Sequence, residues 1–212
     1  MQRKIKNKLI THRKPKKISQ YIAFKIVRFL RFFADAFFSK RYGHRAVILE
    51  TVAGVPGMVG GMFQHLRSLR SCKNDDGWIK ALLDEAENER MHLMVFIEIA
   101  QPNWFERFLI ISVQFVFFFF YSLAYIFMRE TAHRFVGYLE EEAVISYTQY
   151  LEEIDSGTIE NVQAPQLAIE YWNLPKDARL REIIVAVRQD EINHRDDNHA
   201  FADQLQSPKS TH

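Results

Sequence analysis

Four stretches put acid into otherwise apolar, helix-patterned sequence, and this constrains the chain more than any other feature. They read Leu49-Glu50-Thr51-Val52-Ala53, Asn88-Glu89-Arg90-Met91-His92, Leu139-Glu140-Glu141-Glu142-Ala143 and Asp190-Glu191-Ile192-Asn193-His194. Two contain Glu-x-x-His. At about 3.6 residues per turn, positions i and i+3 share a helix face, so Glu89 with His92, and Glu191 with His194, can each chelate one metal ion. The other two stretches supply carboxylates. Buried carboxylates are costly unless they are paired or bound to metal.

One Glu from each of two helices, plus Glu-x-x-His from each of two more, is the ligand set of ferritin-like di-metal carboxylate bundles. The fold class expected is therefore all-α: a ferritin-like four-helix bundle around a di-metal site. Oxygen and imidazole donors without thiolate suit iron or manganese, and iron is the redox choice. Glu140, Glu141 and Glu142 point about 100° apart on a helix, so they cannot all be ligands. Asn88, beside Glu89, is placed to orient a metal-bound group by hydrogen bonding. Tyr147 lies two turns beyond Glu140 on nearly the same face, which brings a phenol towards the metals. Asp84, Glu85 and Glu87 read mostly as solvated.

At 212 residues, 48% apolar and with 18 Phe, the chain can bury one sizeable core. Its single cysteine, Cys72, excludes an intrachain disulfide and a thiolate cluster. A net charge of +2 does not mark a general nucleic-acid binder. The charge is uneven, however. Arg3, Lys4, Lys6, Lys8, Arg13, Lys14, Lys16 and Lys17 precede any acid, the first being Asp35. Residues 1–17 are thus expected to form a flexible basic arm attracted to anionic lipid. No uncharged apolar core of signal-peptide length follows, because Lys25, Arg28 and Arg31 interrupt it.

Residues 18–38 show a broad apolar face and a thin polar stripe of Lys25, Arg28, Arg31 and Asp35. That pattern reads as a helix lying in a membrane surface. Arg31 and Asp35, four apart, can pair. Residues 108–128 carry no charge, and on length alone this is a transmembrane candidate, flanked by Arg107 and Arg129. Trp104, Tyr121 and Tyr125 are candidate interfacial anchors. A crossing would separate the ligand helices before it from those after it, which argues that the segment near 105–128 does not span. Between these segments, Arg45 opens the helix that carries Glu50. Pro56 would kink that helix, and Gly57, Gly60 and Gly61 would allow close helix approach. A loop is expected over 157–175, a surface position for His199, and a polar disordered tail over 204–212. The folded region is taken as a single domain, 18–203.

The strings Leu-Glu-Thr-Val-Ala-Gly-Val-Pro-Gly-Met (49–58), Asn-Glu-Arg-Met-His-Leu (88–93), Leu-Glu-Glu-Glu-Ala (139–143) and Arg-x-Asp-Glu-x-x-His (188–194) resemble the alternative oxidases, the di-iron ubiquinol oxidases of respiratory membranes. The resemblance runs over roughly residues 20–203. It implies Glu50, Glu89, His92, Glu140, Glu191 and His194 as ligands of two iron ions. It implies Arg31, Asp35, Arg45, Leu49 and Glu142 around the quinol, and Tyr147 as a redox or proton-transfer participant. Trp172 and Asp190 match positions used around the family's site. It further implies a homodimer contact through Met58, His65 and Leu69, and a monotopic, non-proton-pumping, cyanide-resistant enzyme that uses ubiquinol and dioxygen. The location implied is the cytoplasmic face of a bacterial inner membrane, or the matrix side of the mitochondrial inner membrane in a eukaryote. The short arm, poor in Ser, favours the bacterial case without a presequence.

This chain departs from the family at Gln189, Ile192 and Asn193. The departure matters only if Asn193 faces the site. A di-iron hydroxylase acting on a quinone precursor or a membrane lipid would share the ligand set and the apolar helices, and would differ in its product.

Overall fold

The structure is a computed structural model that describes residues 11–38 and 41–206. The remainder of the basic arm, residues 1–10, and the end of the tail, 207–212, lie outside the described residues. Seven α-helices account for most of the described chain: α1 (Ile18–Phe38), α2 (Tyr42–Ser71), α3 (Trp78–Ala100), α4 (Trp104–Phe127), α5 (Arg129–Asp155), α6 (Gln166–Tyr171) and α7 (Leu180–Gln206). The one β pairing among these residues is an isolated bridge between Gln163 and Arg179. The all-α expectation holds. The helices fall into two compact units, one of α1 with α5 to α7 and one of α2 to α4.

In the α2–α4 unit, α2 runs without interruption through Pro56. Proline removes one hydrogen bond and crowds the preceding turn, yet tertiary packing on this helix overrides the local cost. The packing depends on glycine. A Cβ on Gly57 would fall 2.4 Å from the Leu82 carbonyl oxygen and 2.9 Å from the Ala86 Cβ. A Cβ on Gly60 would press on Leu82 and on the ring of Tyr125. The absence of side chains along this stripe lets α3 and α4 lie close against α2, as the sequence suggested.

The start of α3 follows Gly77, at φ +82°, and the Asp75 carboxylate accepts from Ile79 N–H at 2.8 Å. Its buried face runs Leu82, Glu85, Glu89, His92 and Phe96 at three- and four-residue steps. Glu85 is buried here, against the expectation of a solvated acid. The start of α4 is a capping box: the Asn103 side chain accepts from Phe105 and Glu106 N–H, and Glu106 reaches back to Asn103 N–H at 3.0 Å.

α4 is the least buried of the long apolar helices. Trp104, Phe108, Phe115, Phe120 and Phe127 all stand exposed. Tyr121 and Tyr125 are exceptions. Both are buried, and Tyr125 stacks on Phe63 of α2 at 6.1 Å, so it anchors α4 to its own unit rather than to a membrane interface. Both α2 and α4 are long and apolar enough to cross a membrane. The apolar window of α2 is mostly buried in the protein, and that of α4 is only 11% buried.

In the other unit, α1 buries Ala23 and Val27 against Tyr138 of α5, with Phe24, Phe135 and Leu139 alongside, and the buried Gln20 donates to Glu130 at 2.7 Å. Most of its other large apolar side chains, among them Ile18, Phe29, Phe32, Phe33 and Phe37, are exposed. Residues 11–17 are held down: His12, Arg13, Lys16 and Lys17 all bond to groups of this unit. The basic arm, expected to be flexible, is therefore fixed over its described part.

α5 and α7 are tied by polar contacts. His133 Nδ1 lies 3.0 Å from Asn198 Oδ1, and Arg134 donates to Asp203 at 2.6 Å. His199, expected at the surface, is buried, with Nε2 2.9 Å from Glu141 Oε1. Residues 157–175, expected as loop, include the short α6. Residues 204–206, expected in the disordered tail, complete α7.

Candidate metal centre

In the α2–α4 unit, the Gly-lined approach of α3 to α2 brings Glu50 together with Glu89 and His92. All three are buried, at 3%, 1% and 0% exposure. His92 Nδ1 lies 3.2 Å from Glu50 Oε2 and 3.4 Å from Glu89 Oε2. The ligand atoms of the three residues lie within 4.8 Å of one another. Glu89 and His92, one turn apart on α3, converge as their spacing requires.

Two carboxylates and an imidazole confined to so small a buried volume form a donor set that a divalent cation satisfies. Taking two carboxylates out of water side by side is unfavourable, and a bound cation offsets both charges. The donors are oxygen and nitrogen, and Cys72 is exposed beyond the end of α2. The set thus fits iron or manganese, and thiolate-preferring metals are a poor match. Asn88, half-buried, is the neighbour of Glu89 on the same turn.

The α1, α5–α7 unit holds the second Glu-x-x-His pair. Glu191 and His194 are buried on α7, and Glu140 is buried on α5. Glu140, Glu141 and Glu142 are all buried, and the last two meet different partners, as their angular separation demands. Glu141 Oε1 takes the Arg13 backbone N–H at 2.9 Å as well as His199.

Glu142 is held by His12, Arg28 and Arg31. Burial pushes its carboxyl towards the neutral form, but bonds from His12 and Arg28 outweigh this and hold it below the ordinary carboxylate value. Tyr147 is buried two turns beyond Glu140.

Of the residues assigned to the quinol, Arg31 donates from Nε to Asp35 at 2.7 Å and from Nη1 to Glu142 Oε2 at 3.3 Å, which unites three of them. Arg45 is buried on α2 with its guanidinium 5.0 Å from the Tyr42 ring, and Leu49 is half-buried one turn later. Trp172 Nε1 donates to Asp190 Oδ2 at 2.9 Å, so the pair flanking the second Glu-x-x-His is a direct contact.

Asn193 is exposed and accepts from Gln189 at 3.1 Å. The departures at Gln189 and Asn193 therefore sit on the solvent side of α7, while Ile192 is half-buried. Met58, His65 and Leu69 lie exposed along α2. Sequence reasoning assigned no role to His12, His199, Arg134 or Asp203. Only Arg28, placed on the polar stripe of α1, carried a signal in the sequence.

A family model described as "Alternative oxidase" matches residues 1–203. The chain is 61% identical over 194 residues to the "Ubiquinol oxidase, mitochondrial" of Batrachochytrium dendrobatidis, covering 92% of this chain and 61% of that protein. It is 56% identical over 195 residues to the "Ubiquinol oxidase 2, mitochondrial" of Glycine max, covering 92% of this chain and 59% of that protein. It is 57% identical over 192 residues to the "Ubiquinol oxidase 1c, mitochondrial" of Arabidopsis thaliana, covering 91% and 58%. The chain spans about three-fifths of the length of these relatives. With a family match across nearly its whole length and all four acid-bearing motifs buried on long helices, this chain belongs to the alternative oxidase family.

Proposed function

We propose that this protein is a membrane-associated ubiquinol oxidase that reduces dioxygen to water without pumping protons. The observation that carries the reading is the buried Glu50, Glu89 and His92 set in a chain with a second buried Glu-x-x-His pair. The family membership and the relatives' names as ubiquinol oxidases support the substrate.

Glu50, Glu89, His92, Glu140, Glu191 and His194 are proposed to hold two iron ions, which would supply the redox chemistry between quinol and dioxygen. In balance, two ubiquinols give four electrons and four protons, and one dioxygen becomes two waters. Arg31, Asp35, Arg45, Leu49 and Glu142 would bind the quinol head group. Glu142, kept ionised by its cationic neighbours, is suited to accept a hydrogen bond from a phenolic hydroxyl. Tyr147 would take part in proton or electron transfer. Asn88, Trp172 and Asp190 would orient the ligands.

The exposed apolar faces of α1 and α4 support binding to one leaflet of a respiratory membrane, where a lipid-soluble quinol is met. The two candidates are a bacterial inner membrane and, as in the names of the relatives, a mitochondrial one. Met58, His65 and Leu69 are proposed to meet a second copy of the chain.

The test is oxygen uptake by membranes containing this protein, fed with decylubiquinol in the presence of cyanide, beside Glu89→Ala. Uptake that resists cyanide and disappears in the variant is expected. Iron-loaded, folded protein that consumes no oxygen with quinol, yet oxygenates a quinone precursor or lipid, would move the assignment to a di-iron hydroxylase.

A further inference from the structure

Three nitrogen-bearing side chains converge on the Glu142 carboxylate, and one comes from outside the helices. Oε1 is the acceptor for His12 Nε2 at 2.7 Å and for Arg28 Nη1 at 2.6 Å. Oε2 accepts from Arg31 Nη1 at 3.3 Å, and the same nitrogen donates to the Glu142 carbonyl at 3.0 Å. Arg28 and Arg31 belong to α1, whereas His12 lies on the extended segment before it.

That segment is fastened at the next residue. Arg13 N–H donates to Glu141 Oε1 at 2.9 Å, and Arg13 Nη2 donates to the two Asp203 oxygens at 2.9 and 2.7 Å. The His12 ring also meets Phe24 edge-on at 5.3 Å. An ionised carboxylate only accepts, so Nε2 of His12 carries the proton in this contact.

The two oxygens are unequal. Oε1 has two short bonds. Oε2 has one long bond, against about 2.7–2.9 Å for a good charge-assisted contact, and so retains accepting capacity. We propose that His12 is a positioning residue for Glu142, fixing the carboxylate through Oε1 so that Oε2 is presented to a phenolic hydroxyl of the substrate. Arg28 shares Oε1 but is half-exposed on a flexible stem and holds the rotamer less firmly alone. The inference rests on the reading of Glu142 as part of a quinol site, and it adds the segment before α1 to that site.

The test compares two substitutions. H12F keeps an aromatic ring against Phe24 and removes the donor; H12Q keeps an N–H donor and removes the ring. The first readout is KM against kcat for decylubiquinol. The second is the Kd of decylubiquinol without oxygen, followed by tryptophan fluorescence, in protein of matched iron content and melting temperature. In H12F, KM and Kd are expected to rise about fivefold, the worth of one net hydrogen bond, with kcat little changed, while H12Q stays close to wild type.

Normal affinity in H12F, or a loss in H12Q alone, overturns the proposal, since either outcome makes the contact one of packing. Should H12F fail to fold, H12L makes the same comparison. A wild-type protein that binds decylubiquinol but consumes no oxygen defeats the oxidase reading and leaves the role of His12 to be decided by Kd. A wild-type protein that does not bind decylubiquinol defeats both.

Discussion

Gly137 of α5 and His199 of α7 occupy one space: a Cβ on Gly137 would lie 2.3 Å from His199 Nδ1 and 2.4 Å from its Cε1. The ring bonds Arg134 at 2.9 Å through Nδ1 and Glu141 at 2.9 Å through Nε2, so it cannot move aside without breaking buried contacts. Gly137→Ala is therefore expected to destabilise the protein by about 1–3 kcal/mol, although alanine is the better helix former. Thermal unfolding measures it. A Gly137→Ala protein as stable as wild type would show that the ring shifts freely.

A pair of glycines on α2 separates helix packing from metal binding. Gly57 has no room for a Cβ, which would fall 2.4 Å from the Leu82 carbonyl oxygen, whereas a Cβ on Gly54 would meet Glu89 Cβ at an ordinary 3.6 Å. Gly57→Ala is expected to push α3 off α2, separate Glu50 from His92 and lower bound iron. Gly54→Ala is expected to retain it. The measurement is iron per protein after reconstitution, and equal loss in both variants would contradict the packing argument.

Metal removal should leave Glu50 and Glu89 buried beside each other without a cation. Reconstitution with iron is expected to raise the melting temperature, by about 4 kcal/mol of stability when free metal is about a thousandfold above its Kd. Glu89→Gln removes one buried charge. It is expected to make the metal-free protein more stable than metal-free wild type and to abolish the gain on adding iron. Calorimetry with and without iron tests both. A variant that still gains fully would remove Glu89 from the ligand set.

Asp203 gives a pH dependence whose sign can be stated. Burial raises its pKa, but bonds from Arg134 and Arg13 outweigh this and hold it below its ordinary 3.8. A depressed folded-state value stabilises the fold above the unfolded value, and the gain is lost as pH falls through the folded one. Asp203→Asn is thus expected to be less stable than wild type from neutral pH down to about pH 4–5, and the gap should close below that. Chemical denaturation at several pH values reads it. A constant gap at all pH values would mean that charge is not the cause.

The four acid-bearing stretches, the two Glu-x-x-His pairs and the all-helical fold were legible in the sequence because each rests on local periodicity. A helix puts residues three apart on one face whatever packs against it. The glycine stripe of α2 and the divergence of Glu140, Glu141 and Glu142 were legible for the same reason. Which surface covers each face was not, because burial belongs to the partner element and local spacing carries no trace of it. His199 looked like a surface residue until α5 left a glycine-sized gap for it. Tyr125 matched an interfacial pattern until α2 covered it. Glu85 sat in a run of acids, and only the packing of α3 buried it. His12, 130 residues from Glu142 in sequence, came to it through a fold that no pattern within the basic arm could indicate. Local spacing along the chain was enough to set the chemistry of the donors and the helices that carry them. The tertiary structure alone decided which charged groups are buried, and which oxygen of which carboxylate each of them holds.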